Sequence, residues 1–163
     1  MTAAGAAGRP DSLVHVVLQG DAAGCPGVPH QQRDREQATR DLRIGSHFAP
    51  AGLVGPFILH RSAEAGRLTL EVRDAADRPL RAFVLSLGVF RRLIKDYRLM
   101  VESYENAMAK GHAARVQAID MGRRGLHDEG AELLIARLRG KIELDFETAR
   151  RLFTLVCLLH QRI

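Results

Sequence analysis

The period of the apolar positions changes along the chain, and each change marks an element. Leu13, Val14, Val16, Val17 and Leu18 form a short β-rich run closed by Gly20, which predicts a first strand. Gly20 to Gln32 carries three glycines and two prolines with few apolar groups, and reads as a loop. Asp34 followed by Gln37 resembles a capping box and Gly45 fits a helix stop, so a helix is expected near Arg35 to Ile44, with Ala38 and Leu42 as its thin apolar face.

From Phe57 the period becomes two. Leu68, Leu70 and Val72 alternate with Thr69, Glu71 and Arg73, the pattern of a half-buried strand. Phe57 to His60 before Ala65-Gly66, and Leu80 to Leu87 after Asp74 to Pro79, complete an expected three-stranded antiparallel meander. Beyond Leu87 the period is helical. Phe90, Leu93, Ile94, Tyr97, Met100, Val101, Tyr104, Ala107 and Met108 share one stripe, which should end near Gly111. A second helix is expected from about Leu126 to Arg139, with Gly130 inside it at a close approach and Gly140 as its stop. Asp145 caps a final helix carrying Phe146, Ala149, Leu152, Phe153, Val156 and Leu159, expected to run to the C-terminus. The fold class that follows is α+β: an antiparallel sheet of about four strands packed on three C-terminal helices, its other face polar or used for assembly. Residues 1–11 read as a disordered tail and 12–163 as one domain.

A chain of 163 residues can build a core without metal or disulfide staples. Cys25 in a Gly/Pro loop and Cys157 in an apolar run form no disulfide framework. The Ala/Gly-rich start lacks the regions of a signal peptide, and no apolar stretch is long enough to span a bilayer, so a cytoplasmic protein with no membrane association is expected. The formal charge is +5, and 21 of the 24 basic residues are Arg. Up to Leu87 there are 10 basic and 9 acidic residues and beyond it 14 and 10, so the excess lies C-terminal. A surplus of this kind suits anionic partners, although a coding bias enriches Arg as well.

The helix after Gly88 carries its charges in the wrong order for its macrodipole. Arg91, Arg92 and Lys95 crowd the positive end, while Glu102 and Glu105 lie toward the negative end. Arg92 can meet Asp96 and Arg98 can meet Glu102 one turn away, but a compensating anion is still expected near Arg91 to Lys95. Either an acid of the same fold, such as Asp120 or Glu143, or an outside ligand supplies it.

Asp120-Met121-Gly122-Arg123-Arg124-Gly125, expected just ahead of a helix and followed by His127, offers two glycines, two guanidinium groups and a helix start. That chemistry suits a phosphate or carboxylate. It is not a P-loop, having no Gly-Lys-Ser/Thr ending, and an ordinary turn with Arg123 or Arg124 paired to Asp120 or Glu129 uses the same residues. The seven histidines show no metal-ligand spacing, and no cofactor is implied. Cys157 and His160 share a face, but their apolar neighbours favour a buried structural thiol. No nucleophile and base pair marks a hydrolase. Without Trp, and with most of the Phe and Tyr residues in core stripes, base stacking is not expected, which leaves phosphate-only contact.

The stretches LSLGVFRRLIKDY (Leu85 to Tyr97), AIDMGRRGLHDEGAELL (Ala118 to Leu134) and DFETARRLFTLVCLLH (Asp145 to His160) resemble a bacterial uncharacterised protein family, number 0262 of its series. The resemblance is close from about Phe57 to the end and weak before Phe48. It implies a small soluble cytoplasmic protein and brings no activity, cofactor or catalytic residue. The function expected from the residues themselves is a binding module for an anionic partner, RNA or a phosphorylated ligand. Its anion-binding residues would be Arg91, Arg92, Lys95, Gly122, Arg123, Arg124, Gly125 and His127. The alternatives are a homo-oligomeric adaptor whose Arg residues pair with acids of a second copy, and an enzyme acting on a phosphorylated metabolite.

Overall fold

A computed structural model describes residues 8–19 and 29–158, and the alternating residues of its strands set one apolar face against a helical layer. The elements are β1 (Leu13–Leu18), α1 (Pro29–Ile44), β2 (Phe48–Pro50), β3 (Phe57–Glu64), β4 (Arg67–Arg73), β5 (Pro79–Ser86), a 3-10 turn (Leu87–Phe90), α2 (Arg91–Ala109), α3 (Ala113–Leu138), β6 (Ile142–Leu144) and α4 (Phe146–Cys157). The architecture is α+β, as the sequence indicates. Residues 1–7, the loop with Cys25, and the final stretch with His160 lie outside the described residues.

The main sheet has the order β1-β3-β4-β5. β3, β4 and β5 form the expected antiparallel meander. Ala65 and Gly66, both at positive φ, make its first two-residue turn, a conformation that matches strand twist. β1 departs from the all-antiparallel expectation and pairs parallel with β3. A parallel partner requires a crossover, and α1, packed on β1 and α4, supplies one. An irregularity of register between Leu13 and His15 lets Leu13 and Val16, three residues apart, both face the core. The two-stranded β2–β6 ladder was not foreseen, because three-residue strands are too short to establish a period.

α1 starts at Pro29, ahead of the expected cap. Asp34 therefore lies inside the helix, where its carboxylate serves a tertiary contact instead of free amides. Asp145 does cap α4, its Oδ1 accepting from the Thr148 N–H at 2.9 Å, and α4 ends at Cys157. Residues 8–11 are tied to the domain: Gly55 N–H donates to the Pro10 carbonyl and Phe48 N–H to that of Asp11, each at 2.6 Å. Among the described residues no helix is long and apolar enough to cross a membrane.

His47 links these peripheral pieces. Its Nδ1 lies 2.7 Å from Asp11 Oδ2 and its Nε2 3.0 Å from Glu143 Oε1, and the hydrogen bonds to Glu143 and then Asp11 raise its pKa above 6.5. A folded-state pKa raised above the unfolded value means stability that is whole below pH 6.5 and is lost as pH rises through the folded pKa. Asp11, lowered below 3.8 by the same hydrogen bond, adds stability that disappears in acid as pH falls through its own folded pKa. His47→Gln is expected to lower Tm by a few degrees near pH 5.5, with the gap to wild type closing in alkaline buffer. Thermal melts across pH check this; a gap that is independent of pH would show that the charge plays no part.

Candidate functional site

The structure separates the residues that the sequence grouped. On α2, Arg92 donates to Asp96 at 3.3 Å and also reaches Glu129 of α3, so it is neutralised within the chain. Arg91 and Lys95 are exposed and have no ion-pair partner among the described residues. Arg124 lies 3.5 Å from Asp120, and Arg123 spans Asp120 at 3.0 Å and Asp34 at 3.5 Å.

The segment from Asp120 to Gly125 is not a turn ahead of a helix. α3 begins at Ala113 and carries this segment in its interior. Helical amides there bond to carbonyls four residues back, so Gly122 to Gly125 present no cradle to an anion. The longer helix was hidden because its first buried residue is Leu126. Before it no apolar stripe exists to set a period.

Arg123 and His127 instead face a cleft of about 220 Å³ between α1, α3 and α4, lined also by Asp34, Asp41, Arg150 and Arg151. Tyr97 donates its hydroxyl proton to Asp34 Oδ2 at 2.6 Å, and its pKa is pushed up by burial and by that carboxylate. The His127 ring stacks at 5.8 Å from Tyr97 and stands edge-on at 6.0 Å from Phe153. Burial first, then the charges of Arg123 and Arg150, lower its pKa to about 4, so at neutral pH it is an uncharged imidazole. The three guanidinium groups are matched by carboxylates, with Arg150 Nε 3.1 Å from Asp128 and Arg151 Nε 3.7 Å from Asp41. A balanced cleft has no electrostatic surplus to draw in an anion.

The unbalanced charge is elsewhere, at a residue the sequence reading passed over. Arg61 stands on β3, beside Leu18 of β1 and Leu70 of β4, with its side chain directed into the helical layer. Its surroundings there are Val16, Leu59, Leu134, Leu152, Leu155 and Val156. The residue is 2% exposed, and none of its three side-chain nitrogens has a hydrogen-bond partner among the described residues. Burial, and then the positive charge of Arg35, lower its pKa to about 10, which leaves it protonated at neutral pH. Arg35 Nε on α1 is likewise buried and without a hydrogen-bond partner among the described residues. The apolar void next to Arg61 measures about 10 Å³, enough for at most one water, and Arg35, half-buried on α1, is near enough for its charge to bear on Arg61. Among the described residues these two neighbouring cations have no carboxylate partner, and a buried unpaired ion costs several kcal/mol.

Comparison with known proteins agrees with the resemblance and extends it. The model of a family described as Uncharacterised protein family (UPF0262) matches residues 10–162, so the likeness extends to the region before Phe48, where the resemblance of the residues is weak. A UPF0262 protein of Granulibacter bethesdensis is 52% identical over 160 residues, covering 93% of this chain and 90% of the relative. One from Acidiphilium cryptum is 52% identical over 162 residues, covering 97% and 98%. One from Maricaulis maris is 46% identical over 153 residues, covering 93% and 95%. No solved structure matches.

Proposed function

The chain belongs to the uncharacterised protein family UPF0262, and from that premise we propose that it is a cytoplasmic binding module for a small oxyanion, a phosphate or the phosphoryl group of a metabolite. Arg61 and Arg35 form its receptor. The observation that carries this reading is the Arg61 guanidinium, protonated, 2% exposed and without a partner among the described residues for any of its donors. A guanidinium fork matches the spacing of two phosphate oxygens, and in a dry site such charge-assisted bonds are strong. Arg35 supplies the second positive charge that a dianion requires.

A small ligand fits this reading better than RNA. A nucleic-acid backbone is held by cations along an open surface, and Arg61 is not on one. Arg92, Arg123 and Arg124 are already engaged by acids of the same chain.

The test is thermal unfolding in inorganic phosphate against chloride of equal ionic strength. At a hundred times Kd a ligand adds about 2.7 kcal/mol, worth roughly 5–10 °C for a domain of this size. The rise should be unchanged in Arg91→Ala/Lys95→Ala and absent in Arg61→Met. Equal melting temperatures in phosphate and chloride would reject the proposal.

A further inference from the structure

We infer that the outer stripe of α2 is a self-association surface, which joins two copies of this chain antiparallel about a two-fold axis at the level of Met100. The inference is independent of the Arg61 site. Lys95, Arg98, Glu102 and Glu105 lie within an arc of about 80° at 100° per residue, the first three exposed and Glu105 half-buried at the edge of the core face. None of the four has an ion-pair partner among the described residues; even Arg98 and Glu102, one turn apart, do not pair. Along α2 these four run from cations on the N-terminal side to acids on the C-terminal side, the order that the macrodipole disfavours, and none of them has an ion pair among the described residues to offset it.

Their positions are symmetric. Arg98 and Glu102 lie two residues either side of Met100, and Lys95 and Glu105 lie five residues either side. With a rise of 1.5 Å per residue, the first pair stands about 3 Å and the second about 7.5 Å from the same level. A two-fold axis there brings Arg98 opposite Glu102 of a second copy and Lys95 opposite Glu105, and the operation repeats both pairs. Leu99, 50% exposed, is one residue from the axis and meets its own copy at the lip of an apolar groove of about 420 Å³, formed with Met100, Ala118 and Ile119. A polyanion would be repelled by Glu102 and Glu105 on the same stripe, whereas a second copy uses both signs.

The test is molar mass by light scattering at tens of micromolar protein in low salt. The wild type should show twice 18.0 kDa and shift toward monomer in half-molar NaCl. Lys95→Glu/Arg98→Glu leaves all four positions acidic and Glu102→Lys/Glu105→Lys leaves all four basic. Each alone should be monomeric, with self-affinity reduced about tenfold or more, and an equimolar mixture should regain the dimer mass. If a double variant loses its helical circular dichroism, Arg98→Gln, measured alone, should still raise the monomer fraction. A monomeric wild type, dimeric single-sign variants, a mixture that stays monomeric, or Arg98→Gln without effect would each overturn the inference.

Discussion

Arg61→Met is expected to melt higher than the wild type in phosphate-free buffer and to lose all response to phosphate. Methionine has similar reach, fills irregular space, and carries no charge into the pocket of Val16, Leu59, Leu70 and Leu155. Exchanging buried ionic groups for apolar ones stabilises by about 1–4 kcal/mol where the ions are poorly compensated. For a domain of this size the gain is roughly 3–10 °C. Few substitutions of a fully buried residue raise stability, so the sign alone is informative. In saturating phosphate the order should invert or close, because only the wild type gains binding energy. A loss of stability in phosphate-free buffer would mean that the guanidinium has structural partners, and the receptor reading would fail with it.

The second large effect is expected at Gly130. It sits inside α3 where a Cβ would overlap the ring of Phe153, which is fully buried and packs against Phe90 at 6.4 Å between centroids. Gly130→Val must push α3 away from α4 or force the ring from its rotamer, at a cost of about 3 kcal/mol or more once the β-branched residue's own strain is included. Urea unfolding should show this as a lower midpoint with little change in slope. Gly125→Ala, five residues earlier in the same helix, is the control. A Cβ there meets nothing within 4 Å, so the substitution should stabilise by about 0.5–1 kcal/mol through helix propensity alone. Were Gly125→Ala as harmful as Gly130→Val, the glycines of α3 would have a role beyond packing.

These two glycines also show where the sequence speaks and where it is silent. Gly130 is flanked by Leu126, Leu133, Leu134 and Leu138, so a period is visible and a close approach can be read from it. Gly122 and Gly125 lie where α3 has not yet reached the core, and two glycines beside two arginines there mimic a phosphate loop. Without an apolar face, local composition was the only guide, and it pointed to the wrong conformation. α2 and α4 were legible because their buried residues recur every three or four positions, and β4 because its own recur every two. The parallel placement of β1 depends on a crossover through α1, which no local pattern encodes.

Arg61 left a signal that went unused. Phe57, Leu59 and Arg61 share one parity of β3, so a strand continued past His60 turns the arginine inward. Ending the strand at His60 removed the anomaly from view. His127 was singled out from sequence as a ligand for anions, yet the structure stacks it on Tyr97 as a neutral ring. What distinguished it was packing, which spacing cannot reveal.

The most direct test of the account follows the Arg61 guanidinium itself. In isotope-labelled protein, the arginine Nε–H resonances are recorded while inorganic phosphate is titrated in. The Arg61 and Arg35 signals should shift together and saturate with a single Kd, and the Arg61 signal should become protected from exchange with water. Shifts confined to Arg91 and to other exposed arginines, with the Arg61 signal unmoved at saturating phosphate, would contradict it.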